Sequence, residues 1–211
     1  MKKYAYIFDI KEPLKPRKLK SLFDKIVAFI ILVFCAPLVV LLKIAYILEG
    51  ILISENGGPL LFYYNAVSGG KIIKKWKFRI IKTKYIDQVG ALRGDWMAYS
   101  AEWTPESRTF MGRLVKNFYL DEIPQFWSVL IGDMSIVGPR TLAKIHYDRD
   151  RAQGNITRFL LRGGLLGLGH INEGTDQMGK ADFEYEYVDR YISDSSIQLL
   201  KLDLKIILAG F

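Results

Sequence analysis

Two adjacent carboxylates, Asp121 and Glu122, stand before a proline and an apolar run in the segment NFYLDEIPQFWSVLIGDMSIVGPR, residues 117–140. Pro124 suits the first turn of a helix, where its missing N–H costs nothing, so the acidic pair falls at or just before a helix N-terminus. Acidic residues are favoured there by the helix dipole, which makes a capping role one interpretation. The same helix end also attracts phosphate, which makes chemistry on a phosphorylated substrate the other.

A carboxylate at such a helix end stays ionised and could attack phosphorus once the charge of the substrate is neutralised. Mg²⁺ can supply that neutralisation, since it commonly takes one or two protein carboxylates together with substrate phosphates. Glu122 is a suitable ligand for it. Arg140, which follows Gly138 and Pro139, could grip a phosphate with two parallel hydrogen bonds. From the residues alone, the capping and the catalytic interpretations stay equally open.

The charge balance predicts an anionic partner. The chain has 211 residues, with 30 Lys and Arg against 22 Asp and Glu and a net charge of +8. Such a surplus suits nucleic acid, an acidic membrane surface or phosphorylated substrates. No nucleic-acid-binding motif accompanies the charge, so no nucleic-acid partner is predicted. The single Cys35 excludes an intramolecular disulfide, and the isolated His146 and His170 have no zinc-site spacing.

An apolar segment, residues 26–42, contains no charge over seventeen residues and lies between Lys25 and Lys43. As a straight helix it would reach about 25 Å, short of the roughly 30 Å hydrocarbon core of a bilayer. Pro37 sits in its middle, where it removes a backbone donor and kinks the helix.

Three interpretations of this segment compete: a single membrane span, a buried core helix, and a bent re-entrant hairpin that enters and leaves the same face. The re-entrant form fits the short length, the central proline and the basic residues on both flanks, which favour the cytoplasmic side for both ends. The segment divides the chain into a basic N-terminal arm (1–20), a membrane helix with its flank (21–53), for which the re-entrant form is favoured, and a C-terminal region (54–211).

A β-hairpin is predicted from LLFYYNAV, SGG and KIIKKWKFRII, two β-prone runs around a Gly-rich turn. Its second strand alternates, with Lys75, Lys77 and Arg79 on one side and Trp76 and Phe78 on the other. The cationic side is either a solvated strand face or a shelf for phosphates or anionic lipid. The fold class that follows is α+β, mostly helical with a small β-hairpin.

The remaining segments give weaker signals. Residues 83–110 are polar and lack helical periodicity, whereas helical spacing returns over 110–130. The segment 161–174 holds five glycines, which suits loops where backbone approaches a ligand, but it lacks the Lys-Ser/Thr of a P-loop. The tail, 194–211, reads as an amphipathic helix suited to core packing or to lying on a membrane.

The segment YLDEIPQFWSVLIGDMSIVGPR closely resembles the signature of the bacterial sugar transferases, the monotopic phosphoglycosyl transferases. That pattern runs Leu-Asp-Glu-Leu-Pro-Gln, then Asn-Val-Leu-x-Gly-Asp-Met-Ser-x-Val-Gly-Pro-Arg-Pro. The likeness covers most of the chain from about Ser21 onward. Other features match in the same order: the proline-bent apolar segment, Gly58-Pro59 with Phe62, Lys77-Phe78-Arg79, a Gly-rich loop ending near Asn172, and DLKIIL at 203–208.

The resemblance implies a monotopic protein of the bacterial inner membrane, with a re-entrant helix-break-helix and a compact catalytic domain on the cytoplasmic face. Such enzymes move a sugar phosphate from a nucleotide diphosphate sugar, usually a UDP-sugar, to polyprenyl phosphate, and nucleoside monophosphate leaves. This is the first membrane step of surface glycan assembly. Whether the chain forms a homo-oligomer is a question that the resemblance leaves open. Carried over by position, Asp121 is the nucleophile, Glu122 the Mg²⁺ ligand, and the substrate-binding residues are Lys77, Arg79, Gly138, Pro139 and Arg140.

Three positions depart from the family pattern. An expected Gln-x-Arg-x-Gly reads Tyr64-Asn65-Ala66-Val67-Ser68, so its arginine is absent at Ala66. An expected Pro-Gly-Ile-Thr-Gly reads Gly163-Gly164-Leu165-Leu166-Gly167, and the proline after Gly-Pro-Arg is Thr141. These departures support an alternative, a catalytically degenerate relative that acts as a membrane scaffold in glycan assembly. The Asp-Glu pair and Gly-Pro-Arg are intact, so an active enzyme with a divergent substrate pocket is expected.

Overall fold

The computed structural model describes residues 2–95, 104–171 and 181–210. Its strands are β1 (Leu61–Ser68), β2 (Lys71–Phe78), β3 (Ser135–Val137), β4 (Leu142–Ala143) and β5 (Gly164–Leu166). Its helices are α1 (Lys18–Leu52), α2 (Gln88–Arg93), α3 (Phe110–Asn117), α4 (Gln125–Ile131), α5 (Lys144–Ala152), α6 (Thr157–Leu160), α7 (Leu168–Ile171), α8 (Ala181–Ser193) and α9 (Ser196–Gly210). Short 3₁₀ turns cover Lys2–Asp9, Ser54–Asn56, Thr83–Tyr85, Pro105–Ser107 and Leu120–Glu122.

The predicted hairpin is confirmed as β1 and β2, which pair antiparallel around a turn at Gly69 and Gly70. Both glycines have positive φ, 56° and 74°, a conformation that glycine adopts without a steric penalty. β4 joins the free edge of β1, and β3 pairs parallel with β5 in a second small sheet. The α+β, mostly helical class is therefore confirmed, while the second sheet was not predicted because strands of two or three residues carry no readable alternation.

α1 contains the apolar segment 26–42, the candidate membrane anchor. It runs as one helix of 35 residues with Pro37 inside it. The predicted break into two helices is not observed, because the helix continues through the proline. It is the one helix in the described part of the chain that is long and apolar enough to cross a membrane. Only 11% of its most apolar window is buried, so the interpretation as a buried core helix is wrong. A re-entrant path through the membrane stays a prediction.

The first part of α1 is held to the C-terminal helices by a buried polar cluster. The Nζ of Lys20 lies 2.7 Å from Oδ2 of Asp203 on α9. The hydroxyl of Tyr187 on α8 donates to Oδ1 of the same carboxylate at 2.7 Å. Asp24 lies one helical turn after Lys20, and its Oδ2 accepts a hydrogen bond from the hydroxyl of Ser135 on β3 at 2.6 Å. These contacts fix the helix against α8, α9 and the strand that leads into Gly138.

The last part of α1 caps another helix. Glu49 is buried, and its carboxylate accepts the backbone N–H of Phe110 at 2.6 Å and of Met111 at 3.0 Å. Thr109 Oγ1 accepts the next N–H, that of Gly112, at 2.8 Å. The first three N–H groups of α3 therefore have acceptors, and a negative charge lies at the positive end of its dipole. The end of the anchor helix and the start of α3 are thereby joined.

The N-terminal segment packs into the core. Tyr4 and Ile7 are buried in the larger apolar cluster, and the Tyr4 ring stacks on Tyr185 of α8 with centroids 6.2 Å apart. The tail is helical as predicted: α9 buries Leu199 and Ile206 in the same cluster. A second cluster forms between α1, β1, β2 and α3.

The expectation of no helix over 83–110 is wrong in part. Residues Gln88–Arg93 form α2, whose first turn is capped by the Asp87 carboxylate, which accepts the N–H of Gly90 at 2.9 Å. The helix is only six residues long, too short for its apolar spacing to be read from the sequence. Residues 96–103, in the middle of the polar stretch, lie outside the described part of the chain, as do residues 172–174 of the Gly-rich segment.

Candidate active site

Asp121 and Glu122 lie in the 3₁₀ turn Leu120–Glu122, between the end of α3 and the start of α4. The chain enters this turn through Tyr119, whose φ of 54° makes it the one non-glycine residue with positive φ among those described. Pro124 is the residue just before the first residue of α4. The prediction that the acidic pair falls just before a helix is confirmed.

The Asp121 side chain lies between two lysines. Its Oδ2 is 3.2 Å from the Nζ of Lys77 and 3.6 Å from the Nζ of Lys116. Its Oδ1 is buried and, among the described residues, accepts no hydrogen bond. Among the described residues, no side chain accepts a hydrogen bond from the first N–H groups of α4 or of the turn itself. The geometry therefore gives no support to the capping interpretation. What the geometry does offer is an ion-paired carboxylate with one free oxygen.

Asp121 is nevertheless 1% exposed, which was not anticipated for a nucleophile. The neighbouring Glu122 side chain is 40% exposed and lies 3.5 Å from the Nζ of Lys77. A ligand that approaches from solvent would therefore meet Glu122 first, and it would reach Asp121 only after a local displacement of the surrounding side chains. Movements of that size on ligand binding are common.

Glu122 is held in its ionised form. Partial burial alone would raise its pKa, but the positive charges of Lys75, Lys77 and Arg140 outweigh this effect and lower the pKa of Glu122 to about 2. The carboxylate therefore carries its charge at neutral pH, which a metal ligand requires.

Lys75 and Lys77 lie on one face of β2, as the alternation predicted. Both are buried, with 5% and 9% of their surface exposed, so the interpretation as a solvated strand face is wrong. Their side chains point toward the acidic pair because that face of the hairpin packs against the turn that carries it. The alternative, a cationic shelf, agrees with the geometry.

Arg79 follows on the same side of the strand, but its side chain contacts backbone carbonyls. Its guanidinium is fully buried and donates to three backbone carbonyls, those of Pro59 at 2.8 Å, Ile81 at 2.7 Å and Asn56 at 2.8 Å. The Tyr46 hydroxyl donates to its backbone oxygen. These contacts fasten the loop after α1 to the end of β2, and they give no support to the predicted role in holding phosphate.

The Gly138-Pro139-Arg140 segment runs along β5. The N–H of Gly138 donates to the carbonyl of Leu166 at 2.9 Å, and the carbonyl of Pro139 accepts from the N–H of Gly164 at 2.8 Å. A Cβ at Gly138 would lie 2.6 Å from the carbonyl oxygen of Arg162, so only glycine fits there. These two residues position the loop, and only Arg140 extends its charge toward Glu122.

The positions that depart from the family pattern are packed positions. Ala66 is fully buried and pairs with Ile73 on β2 and Ala143 on β4. A Cβ at Gly163 would lie 2.0 Å from Cγ2 of Thr141, so two of the departures touch each other. The Gly-rich segment brings its backbone close to that of Gly138, directly after β3, since a Cβ at Gly164 would lie 2.2 Å from the backbone nitrogen of Gly138.

Two residues of the site were not among the predicted ones, Lys116 and Lys75. Lys116 lies on α3, and only the αL turn at Tyr119 brings it back toward Asp121, which the sequence does not reveal. The alternation did place Lys75 on the cationic side of the strand with Lys77, but Lys75 was not among the predicted substrate-binding residues.

The acidic pair offers the kind of oxygen ligand that a divalent cation such as Mg²⁺ prefers. Among the described residues no group of three or more His, Cys, Asp or Glu side chains could hold a metal ion. Mg²⁺, however, often uses one or two carboxylates and takes its other ligands from water and substrate phosphates. Glu122 is ionised and partly exposed. It could hold the ion together with water and a phosphorylated substrate.

The sequence model of the family described as bacterial sugar transferases matches residues 15–211. The chain belongs to this family. It is 35% identical over 194 residues, 89% of its length, to the UDP-glucose:undecaprenyl-phosphate glucose-1-phosphate transferase of Klebsiella pneumoniae. The protein of the same name from Escherichia coli K12 is 32% identical over 90% of this chain.

A third relative is the undecaprenyl-phosphate galactose phosphotransferase of Salmonella typhimurium, which is 27% identical over 91% of this chain. The three alignments cover 38%, 39% and 41% of the relatives. The chain thus spans about two fifths of the length of the curated relatives it matches. The bacterial sugar transferase region is what they share.

Proposed function

We propose that this protein transfers a sugar phosphate from a nucleotide diphosphate sugar, a UDP-sugar, to polyprenyl phosphate in the membrane. The reaction passes through a phosphosugar covalently bound to Asp121, releases nucleoside monophosphate and starts the assembly of a surface glycan. Family membership supports this proposal, as do the names of the relatives, which specify UDP-glucose and undecaprenyl phosphate. The catalytic domain lies on the cytoplasmic face of the inner membrane, where nucleotide sugars are available.

One observation carries the proposal: the Asp121 carboxylate is paired with Lys77 through one oxygen while its other oxygen accepts no hydrogen bond among the described residues. Lys77 and Lys116 lie 3.2 Å and 3.6 Å from the same oxygen of the carboxylate and orient it. The unpaired oxygen is the one that can form a new bond. A carboxylate used only to stabilise the fold would be expected to have both buried oxygens satisfied.

In the first half-reaction, an Asp121 oxygen attacks the phosphorus that carries the sugar. The bond between that phosphorus and the bridging oxygen breaks, and the electron pair leaves with the nucleoside monophosphate. Lys77 lies beside the attacking carboxylate and stabilises the charge on the phosphoryl oxygens. Arg140 adds a second positive charge on the Glu122 side of the site.

In the second half-reaction, an oxygen of polyprenyl phosphate attacks the same phosphorus. The bond to Asp121 breaks, the carboxylate is regenerated and the product is a polyprenyl diphosphate sugar. The acceptor phosphate is largely ionised at neutral pH, so a strong general base is not required. When bound at Glu122, Mg²⁺ would neutralise phosphate charge during both transfers.

The acceptor is a lipid, which gives α1 its role. Its exposed apolar surface anchors the protein, while Glu49 at its end contacts the start of α3 and Lys20 near its beginning contacts α9. The anchor therefore holds the catalytic domain against the membrane surface, where the phosphate of the lipid lies.

A panel assay tests the proposal. Purified protein with Mg²⁺, polyprenyl phosphate and a set of nucleotide sugars should release nucleoside monophosphate with at least one donor. The same assay identifies the sugar and the base. If no donor in the panel gives release above the protein-free control, the proposed reaction is wrong for this chain.

The burial of Asp121 and the absence of the arginine at Ala66 favour a second candidate, a catalytically degenerate scaffold of a glycan-assembly complex. The two candidates differ in one observable, the covalent intermediate. Incubation with donor in the absence of polyprenyl phosphate should add the mass of one sugar phosphate to the intact protein. That adduct would exclude the scaffold, whereas an unmodified mass with every donor would support it.

A further inference from the structure

Lys75 is a buried lysine at the candidate active site that no step above uses. It is 5% exposed. Among the described residues, its ammonium group forms no hydrogen bond or ion pair, and its positive charge acts on Glu122. The stem of the side chain is buried while Nζ is not among the buried atoms that lack a partner, so the ammonium keeps access to solvent and is open to an anionic ligand.

The strand fixes where Lys75 can act. It lies two residues from Lys77 on β2, so the two side chains share one face and their Cα atoms are roughly 7 Å apart. On the neighbouring strand it faces Tyr64. Lys74 points to the opposite face, where its Nζ lies 4.7 Å from the centre of the Tyr63 ring.

Within the described residues, four cations interact with the two carboxylates of the acidic pair. The diphosphate of a nucleotide sugar carries one negative charge on each phosphate and would be attracted to such a group of cations. The cations that interact with the pair are Lys75, Lys77, Lys116 and Arg140.

We propose that Lys75 binds the donor phosphate that leaves with the nucleoside. The inference rests on the proposed function, because it assigns the second phosphate of the same donor. Lys77 touches Asp121, so the phosphorus under attack lies at Lys77. Lys75 is one step along the strand toward the hairpin turn, on the Glu122 side, where the adjoining phosphate lies.

The chemistry gives Lys75 a role in one half-reaction. When the bond from phosphorus to the bridging oxygen breaks, that oxygen becomes a terminal oxygen of the nucleoside monophosphate and gains negative charge. The ammonium of Lys75 stabilises this charge. The nucleotide has left before the lipid phosphate attacks, so Lys75 has no such role in the second half-reaction.

A binding experiment tests the site without turnover. Inorganic pyrophosphate carries the diphosphate without sugar or base, and its affinity is measured by calorimetry in excess Mg²⁺. Lys75→Met should weaken binding at least about tenfold, because a charged hydrogen bond is lost. The matched control is Lys74→Met, which removes the same charge from the adjacent residue on the other face and should change the affinity less than about twofold.

The half-reactions then test the role, with melting temperatures checking that both variants are folded. Lys75→Met should slow nucleotide release at least about tenfold in a single turnover without acceptor. Transfer from the isolated adduct to polyprenyl phosphate should stay within about twofold of wild type. Equal pyrophosphate affinity in the two variants, no binding by the wild type, or equal slowing of both half-reactions would overturn the role of Lys75. Inactivity of the wild type with every donor would instead overturn the proposed function, while the pyrophosphate comparison still decides whether Lys75 binds phosphate.

Discussion

The Nζ of Lys77 lies 3.2 Å from Oδ2 of Asp121, and the second oxygen of that carboxylate accepts no hydrogen bond among the described residues. Asp121→Asn keeps the shape of the side chain but removes the charge and the nucleophilic oxygen. We expect turnover to fall about a thousandfold or more, and we expect no phosphosugar adduct in the intact mass. Both are measured with the donor identified by the panel.

The control for this variant is Asp148→Asn, which removes an exposed carboxylate paired with Lys144 on α5. It should retain wild-type turnover, since an exposed ion pair contributes little to stability and the residue is remote from the acidic pair in the chain. An Asp121→Asn protein that turns over at the wild-type rate, or that still carries the adduct, would remove Asp121 as the nucleophile.

Glu122→Gln tests the metal ligand. The amide keeps the size of the side chain but binds Mg²⁺ poorly, so the Mg²⁺ concentration for half-maximal activity should rise about tenfold or more. Glu55→Gln is the control, because Glu55 is a partly exposed carboxylate that pairs with Lys82 and Lys84. A Glu122→Gln enzyme with an unchanged Mg²⁺ requirement would show that the ion binds elsewhere.

Arg79 and Arg140 should separate stability from activity. Arg79→Met leaves three buried carbonyls without their donor, so we expect a loss of about 3 kcal/mol or more in the free energy of unfolding. Arg140→Met removes an exposed side chain, and we expect a stability change within about 0.5 kcal/mol but a clear loss of activity.

Denaturant unfolding and the donor assay, applied to both arginine variants, measure the two effects. If Arg79→Met unfolds like the wild type and loses only its activity, the predicted phosphate-binding role is restored for this residue. If Arg140→Met retains full activity, Arg140 has no part in the site.

These two arginines also show how far sequence reasoning reaches. Alternation along β2 correctly placed Lys75, Lys77 and Arg79 on one side, because the side-chain period of a strand is a local property. It could not separate Lys77 from Arg79. That difference depends on the loop after α1, whose carbonyls from Asn56 and Pro59 converge on the guanidinium, and such a contact forms only when distant segments pack.

The same limit applies to the burial of Asp121. Its position before α4 followed from Pro124 and the apolar spacing, both local signals. Its 1% exposure depends on how closely α3 approaches the end of β2. A Cβ at Gly112 would lie 1.9 Å from the carbonyl oxygen of Ile80, so this glycine permits the close packing. Nothing in the sequence distinguishes Gly112 from a glycine in an open turn.

The path of α1 through the membrane can be tested by labelling cysteines in intact cells. In a Cys35→Ala background, Ala5→Cys places an exposed thiol before the start of α1, and Lys84→Cys places one after its end. The re-entrant prediction expects neither thiol to react with an impermeant reagent until the cells are permeabilised. A single span would expose one of the two from outside, and labelling of one position in intact cells would contradict the re-entrant path.

Lys20 and Asp203 should be coupled in stability, because their ion pair is buried and fastens α1 to α9. Lys20→Met leaves the Asp203 carboxylate with the Tyr187 hydroxyl as its one hydrogen-bond partner among the described residues, and we expect a loss of about 3 kcal/mol or more. Asp203→Asn leaves Lys20 with Asp24, whose carboxylate is 3.6 Å away.

The double variant Lys20→Met/Asp203→Asn removes both charges and keeps an acceptor for Tyr187. Its loss should therefore be smaller than the sum of the single losses by about 1 kcal/mol or more, as measured by denaturant unfolding in one detergent. Strictly additive losses would mean that the ion pair does not hold α1 to α9. The position of the proposed lipid-dependent step at the membrane would then depend on other contacts of α1, such as the Glu49 cap on α3.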